Sequence, residues 1–549
     1  MAAHAQHPAP ADLVLRNGAV YTVDSTKPWA RAVAVRAGRI VLVGSDSEAA
    51  ALVGARTRVI DLAGRMLLPG FHDSHVHPVS GGMEMAACDL GEQSTRSGVV
   101  ETIARCSRDK PGASWLLGRG WQLPVFPAAN PGRALLDSLV PDRPAFFVAA
   151  DGHSAWVNSR ALAIAGISAA TPDPPRGHIE RDSLTREPTG TLRESASRLV
   201  RRHLPRLTAA DYEAGLARSL TMAARYGITS LQEASADTMV LRAYAALDRR
   251  GVLTARVVAA IRVDPAAGPA QVARMSALRT RFAGRRLRVT AAKIFADGVI
   301  EARTAALLEP YVGGGGRGTP NLTAPAMDSL VIALDRARFQ VHVHAIGDGA
   351  VRMTLDAFAA AQRANGARDS RHHIAHLEMI DSADVPRFAG LGVYANFQPL
   401  WAYEDSYIRN LTVPVLGTER SRHLYPLGSI ARSGAVLVAG SDWNVSSMDP
   451  LQAMQVAVTR RYRDSTAGPA WLPDEQVTLA QIMAAYTING ARVSFEEHET
   501  GSIAVGKAAD LIVIDRNLFV IPSADIHRAK VLLTLLAGRE IYRDRGAMP

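Results

Sequence analysis

The sequence predicts an α/β fold: a TIM-like (β/α)8 barrel with a composite β-sandwich built from both termini and a large insertion after strand one. Three observations carry that expectation. Short runs rich in β-branched residues, separated by turn signals, occupy both ends of the chain. Between them, apolar runs alternate with stretches of helical periodicity, the pattern of a parallel sheet wrapped by helices. At the ends of several of those runs stand histidines, a lysine and an aspartate, where barrels of this kind place their chemistry.

Taken in order, residues 1–65 form the N-terminal part of the sandwich, with Asp12-Leu-Val-Leu-Arg16, Ala19-Val-Tyr-Thr-Val23 and Ala32-Val-Ala-Val35 as strands and Asn17-Gly18 as the clearest turn. Residues 499–549 have the same texture, in Asp510-Leu-Ile-Val-Ile-Asp515 and Lys530-Val-Leu-Leu-Thr-Leu-Leu536. Either half alone would leave sheet edges unpaired, so one sandwich shared by both ends is expected. Residues 66–498 are assigned to the barrel, with strands near 66–77, 228–233, 255–262, 287–297, 340–346, 372–378, 392–399 and 435–442. Helical periodicity runs through Met327–Arg338 and Ala350–Gln362. The long gap between the first two strands makes residues 84–205 an insertion expected to shape the pocket. Gly313 to Gly316 lacks the trailing Gly-Lys-Ser/Thr of a phosphate loop and reads as a loop.

Composition narrows the function classes. With 549 residues, 48% hydrophobic and 21% charged, the chain has ample core. No apolar run approaches the roughly 18 residues needed to cross a bilayer, and Met1 to Pro10 lacks a signal-peptide layout. The expectation is a cytoplasmic protein with no membrane partner. The net charge of +10 is scattered in singles and pairs, which argues against nucleic acid; the partner expected is a small-molecule amide substrate. A homodimer is the base-rate expectation. Cys88 and Cys106 make neither a disulfide framework nor a C-x-x-C motif.

The chemistry centres on Met66-Leu-Leu-Pro-Gly-Phe-His-Asp-Ser-His-Val-His-Pro78. On a strand, residues two apart share a face, so His75 and His77 can present two imidazoles to one metal ion. Further strand ends add Lys293, His344, His376 and Asp442. Of the 62 basic residues all but five are arginine, which makes a lysine inside an apolar strand notable. Two readings of Lys293 stand open: a neutral buried amine that takes up carbon dioxide to become a carbamate between two cations, or an ammonium paired with Asp297 or another carboxylate. Mixed histidine and carboxylate ligands suit zinc best, with manganese or iron chemically acceptable.

This set resembles the amidohydrolase superfamily, and within it the YtcJ-like, or amidohydrolase 3, group that includes N-substituted formamide deformylases. The resemblance is carried by Leu68-Pro-Gly-Phe-His-Asp-Ser-His-Val-His-Pro78, Asp151-Gly-His-Ser-Ala-Trp-Val-Asn-Ser159, Glu187-Pro-Thr-Gly190, Lys293-Ile-Phe-Ala-Asp-Gly298, His344-Ala-Ile-Gly-Asp348, His376 and Gly440-Ser-Asp-Trp443. It implies His75, His77 and Asp442 on one metal, His344 and His376 on another, and Lys293 as the bridge. Two departures stand out: Ala375 and Val299 occupy positions where relatives often have an acidic residue and a serine.

The expected function is hydrolysis of the C–N bond of a linear N-acyl or N-formyl amide by a metal-activated hydroxide. Asp442 is read as general base then acid, or as a ligand or helix cap. His153 is a candidate oxyanion donor, and Asp151, Trp121 and Trp443 are weaker substrate candidates. His342, His372 and His373 are assigned structural roles. Opening a cyclic amide or deaminating an amino-heterocycle is the alternative on the same site, and a non-enzymatic binding role is the third reading.

Overall fold

The structure is a computed structural model that describes residues 9–127, 130–150, 154–175, 177–314, 316–463 and 469–548. It contains two compact units, one of Met1–Val79 with Leu216–Pro549 and one of Ser80–Gly215.

In the larger unit, an eight-stranded sheet runs in chain order: Phe71–Val76, Ile228–Ala236, Arg256–Arg262, Leu287–Phe295, Gln340–Ala345, His373–His376, Tyr394–Phe397 and Leu437–Ala439. Every ladder in it is parallel, so each connection crosses over, and the helices Ala324–Arg336 and Asp348–Asn365 lie in two of those crossovers. Thr323 accepts from Ala326 N at the start of the first helix, and Leu330, Val331 and Leu334 form its buried stripe. The last strand comes back to the first through the residues that follow it. Ser441 N donates to Asp73 Oδ1 at 2.9 Å and Asp442 N to His75 O at 2.7 Å. The result is a TIM-like barrel.

Two smaller sheets lie in the same unit. One has four strands, ordered Arg39–Gly44, Ala32–Arg36, Leu13–Arg16 and Arg58–Asp61. The other has six and interleaves the chain ends: Leu511–Ile514 lies antiparallel on Met66–Pro69, with Ile512 opposite Leu68. Leu15, Val33, Val35, Leu67, Leu511, Val513 and Leu533 belong to one apolar cluster drawn from both sheets.

One local expectation is corrected. The strand expected at 66–77 is two strands: Met66–Pro69 pairs in the terminal sheet, and Phe71–Val76 in the barrel. Gly70 between them faces the Thr229 side chain so closely that a Cβ would collide with it. The turn at Asn17-Gly18 links two strands that lie in different sheets.

The barrel interior is unusually polar. Val258, Ala260 and Ala291 make a small apolar patch, while His75, Lys293, His342, His373, Gln232 and Asn396 are all buried. An all-aliphatic interior would serve stability better, since every buried polar group forfeits hydration.

The Ser80–Gly215 unit has its own six-stranded sheet, ordered Gly177–Arg181, Pro188–Glu194, Ser154–Val157, Ala145–Ala149, Leu116–Trp121 and Cys88–Asp89. Its core includes Trp121, Phe147 and Trp156. Cys88, on the edge strand, is disulfide-bonded to Cys106 on the helix Arg96–Asp109, with Cα atoms 5.8 Å apart. Sequence spacing did not reveal that pairing, because it depends on the helix folding back over the strand.

Candidate metal centre

The site is built at the C-terminal ends of the barrel strands. His75 is buried near the end of the first barrel strand and half-buried His77 lies just past it, their rings 5.5 Å apart between centroids. Asp442 reaches them from the end of strand eight: its Oδ1 is 3.5 Å from His75 Nε2 and 3.2 Å from His77 Nε2. One ligand atom from each of the three lies within 4.8 Å of the others, the compactness a single ion needs. Asp442 sits in the left-handed region at φ 50°, a conformation that a non-glycine residue holds only when its surroundings enforce it. Ser441 enforces it, donating through Oγ to Asp73 Oδ2 at 2.6 Å.

His376 and His344 complete the ring of imidazoles. The His376 ring lies 4.7 Å from that of His75 and 4.3 Å from that of His344, and its Nδ1 is 3.9 Å from Asp442 Oδ2. It also adopts a left-handed backbone, at φ 81°. His344 Nε2 donates to Gly298 O at 3.1 Å, which leaves Nδ1 with the free lone pair.

Lys293 is fully buried, and its Nζ has no hydrogen-bond partner among the described residues. It does not pair with Asp297, whose carboxylate accepts from Ala306 N, Ile346 N and Gly347 N at 2.9–3.0 Å. Burial pulls its pKa from 10.5 down to about 7, so a large share of the amine is neutral near neutrality. Burial likewise holds His75 and His376 well below the ordinary imidazole range, and His344 at about 3. His77 goes the other way: burial opposes its charge, but the hydrogen bonds it donates to the Asp442 and Glu233 carboxylates outweigh that and raise it to about 9. The centre therefore calls for positive charge between its carboxylates.

A divalent cation fits this donor set. Among the described residues, Lys293 Nζ and His376 Nδ1 are buried without hydrogen-bond partners, and buried polar atoms are rarely left so unless something else meets them. Imidazole nitrogens, a carboxylate and a neutral amine are the groups that would do so.

Comparison with known proteins places this arrangement. The model of the amidohydrolase family matches residues 58–542. The chain belongs to the amidohydrolase family. This amidohydrolase is 30% identical to the Protein LONG AFTER FAR-RED 3 of Arabidopsis thaliana, over 97% of this chain and 92% of that one. It is 28% identical to the N-substituted formamide deformylase of Arthrobacter pascens, over 98% and 99%. Among solved structures it is similar to an uncharacterized metal-dependent hydrolase from Pyrococcus furiosus, with a TM-score of 0.74, 27% identity, and coverage of 92% of this chain and 99% of that one. The amidohydrolase is thus a hydrolase with a candidate metal site of histidine and aspartate.

Other expected residues fall elsewhere. Trp121 is fully buried, with its indole nitrogen donating to Phe147 O at 3.1 Å, so it packs the Ser80–Gly215 unit and cannot touch substrate. Trp443 is partly buried and meets the centre through its backbone, its carbonyl accepting from His77 N at 2.8 Å. Asp151 and His153 lie outside the described residues. Sequence reasoning missed Trp401, which stacks on His376 with centroids 5.7 Å apart and 5° between planes. It also missed Glu233, whose Oε1 lies 3.6 Å from His77 Nδ1 and whose Oε2 accepts from Tyr244 OH at 3.2 Å. A carboxylate behind a metal-binding imidazole fixes its tautomer and orientation. The signal was available: Gln232-Glu233 closes the run expected as the strand 228–233. His342 does the same for His75, with His342 Nε2 2.9 Å from His75 Nδ1.

Proposed function

We propose that this amidohydrolase cleaves the C–N bond of a linear N-acyl or N-formyl amide. The observation that carries the proposal is the convergence of His75, His77, His376 and Asp442 beside a buried Lys293 whose Nζ has no hydrogen-bond partner among the described residues. The deformylase relative supports the choice of reaction, because the likeness runs the length of both chains.

His75, His77 and Asp442 would hold one divalent metal and His344 and His376 a second, with zinc the best match to the donors. Such a metal supplies Lewis acidity and lowers the pKa of water toward neutrality. Lys293 would join the two sites as a carbamate, its neutral amine adding carbon dioxide and releasing one proton. Asp442 takes the proton of the attacking water and returns it to the leaving nitrogen, so an amide and water yield a carboxylate and an ammonium. Glu233 and His342 hold His77 and His75 in orientation from behind. Trp401 backs the ring of His376.

The test is metal analysis of the purified protein coupled to a screen of N-substituted formamides, acetamides and lactams. The expected result is chelator-sensitive release of an amine and a carboxylate from an acyclic amide. Ammonia release from a ring, or turnover confined to lactams, would overturn the reading.

A further inference from the structure

Beside the metal centre, across strands two to four, lies a pocket of about 760 Å³. Its polar lining is mostly engaged already. Asp237 and Asp264 cap the backbones that follow them, Asp237 accepting from Met239 N and Val240 N and Asp264 from Ala266 N. Asp297 is taken up by three amides, and the Gln271 side chain bonds to Asp264 and Gly268. Two guanidiniums remain, Arg262 and Arg274, and neither has a hydrogen bond or ion pair among the described residues. The rest of the wall is largely apolar, including Met275 and Leu278.

The position of Arg262 ties this pocket to the reaction. Alternation along strand three puts Arg262 on the same face as Val258 and Ala260, which pack against Ala291 inside the barrel. On the neighbouring strand, Lys293 is the register partner of Arg262, and such partners lie about 4.8 Å apart across a ladder. Both cations meet one ring: Arg262 Cζ is 5.4 Å and Lys293 Nζ 5.0 Å from the centroid of Phe295. That ring also lies 5.5 Å from His344. A permanently charged fork without an ion pair among the described residues therefore stands one strand away from the lysine of the centre, in a pocket lined by both polar and apolar side chains.

We infer that Arg262 binds a carboxylate of the substrate, with Arg274 as a second cation along the same wall, so that the preferred substrate is an N-acyl amino acid with an apolar side chain. The inference rests on the amide-hydrolase reading above for its chemistry but not for its binding. A guanidinium–carboxylate fork is charge-assisted and directional, and the carboxylate of an N-acyl amino acid is only two bonds from the scissile nitrogen. Anchored on Arg262, it would hold the amide over the row of strand ends that carries Lys293.

The experiment uses sulfonamide analogues, which resist hydrolysis: N-methylsulfonyl-leucine and its carboxamide, titrated calorimetrically into the metal-loaded full chain. The acid should bind about tenfold to a hundredfold more tightly than the carboxamide. Arg262→Met should bring that ratio below about threefold, and Arg262→Lys should keep an intermediate preference. A wild-type ratio near one, or a ratio unchanged in Arg262→Met, overturns the inference. Hydrolysis of N-formyl-leucine and N-formyl-leucinamide, followed in parallel, separates the two readings. Arg262-dependent binding without hydrolysis removes the amide-hydrolase reading and supports the anion site. Equal hydrolysis of both, with no preference in binding, does the reverse.

Discussion

Replacing Lys293 with methionine should make the metal-free protein more stable while removing its function. The lysine is fully buried and its Nζ has no partner, so burial alone depresses its pKa from 10.5 to about 7. Unfolded, the amine keeps its proton up to about 10.5; folded, it releases it near 7. Between those values the unfolded chain binds more protons, so raising the pH stabilises the folded wild type by about 1.4 kcal/mol per pH unit. At pH 7 and below, the full penalty is about 5 kcal/mol as an upper bound. Replacing buried charge with apolar volume typically recovers about 1–4 kcal/mol. For a chain of 549 residues, each kcal/mol moves the melting temperature by about 1 °C. Lys293→Met should therefore melt about 1–4 °C above wild type at pH 6.5, and the gap should close by about 1 °C per pH unit toward pH 10. Calorimetric melts in chelator and carbon-dioxide-free buffer would measure it. A variant that melts lower at pH 6.5, or a gap that is flat with pH, would refute the assignment of Lys293 as a destabilising, readily neutralised amine. Metal binding should fall in the same variant.

Two further substitutions test how the centre is held. Glu233→Gln should weaken metal binding about tenfold to a hundredfold, read by competition with a chromogenic chelator, because His77 loses the carboxylate 3.6 Å behind its Nδ1; wild-type affinity would show that His77 needs no such support. Gly440→Ala puts a Cβ 2.5 Å from His75 N and 2.9 Å from His75 Cα, and since backbone cannot yield cheaply it should cost about 1–3 kcal/mol and weaken metal binding; an alanine variant with unchanged melting and metal content would show that the contact between strands eight and one is softer than it looks.

The reach of the sequence had a physical limit. His75 and His77 were legible because a strand's period of two is local, and Lys293, His344, His376 and Asp442 because each ends an apolar run that is itself a barrel strand. The alternation of strands and helices likewise determined the barrel, since a parallel sheet demands crossovers. What only the tertiary structure decided are the contacts made across the chain. Asp73 holds Ser441, Glu233 and Tyr244 stand behind His77, His342 supports His75, and Trp401 rather than Trp121 meets the centre. Those partners lie on other strands or in loops, and no periodicity records which side chain a neighbouring element presents. For the same reason Arg262 read as one arginine among many until the ladder set it beside Lys293.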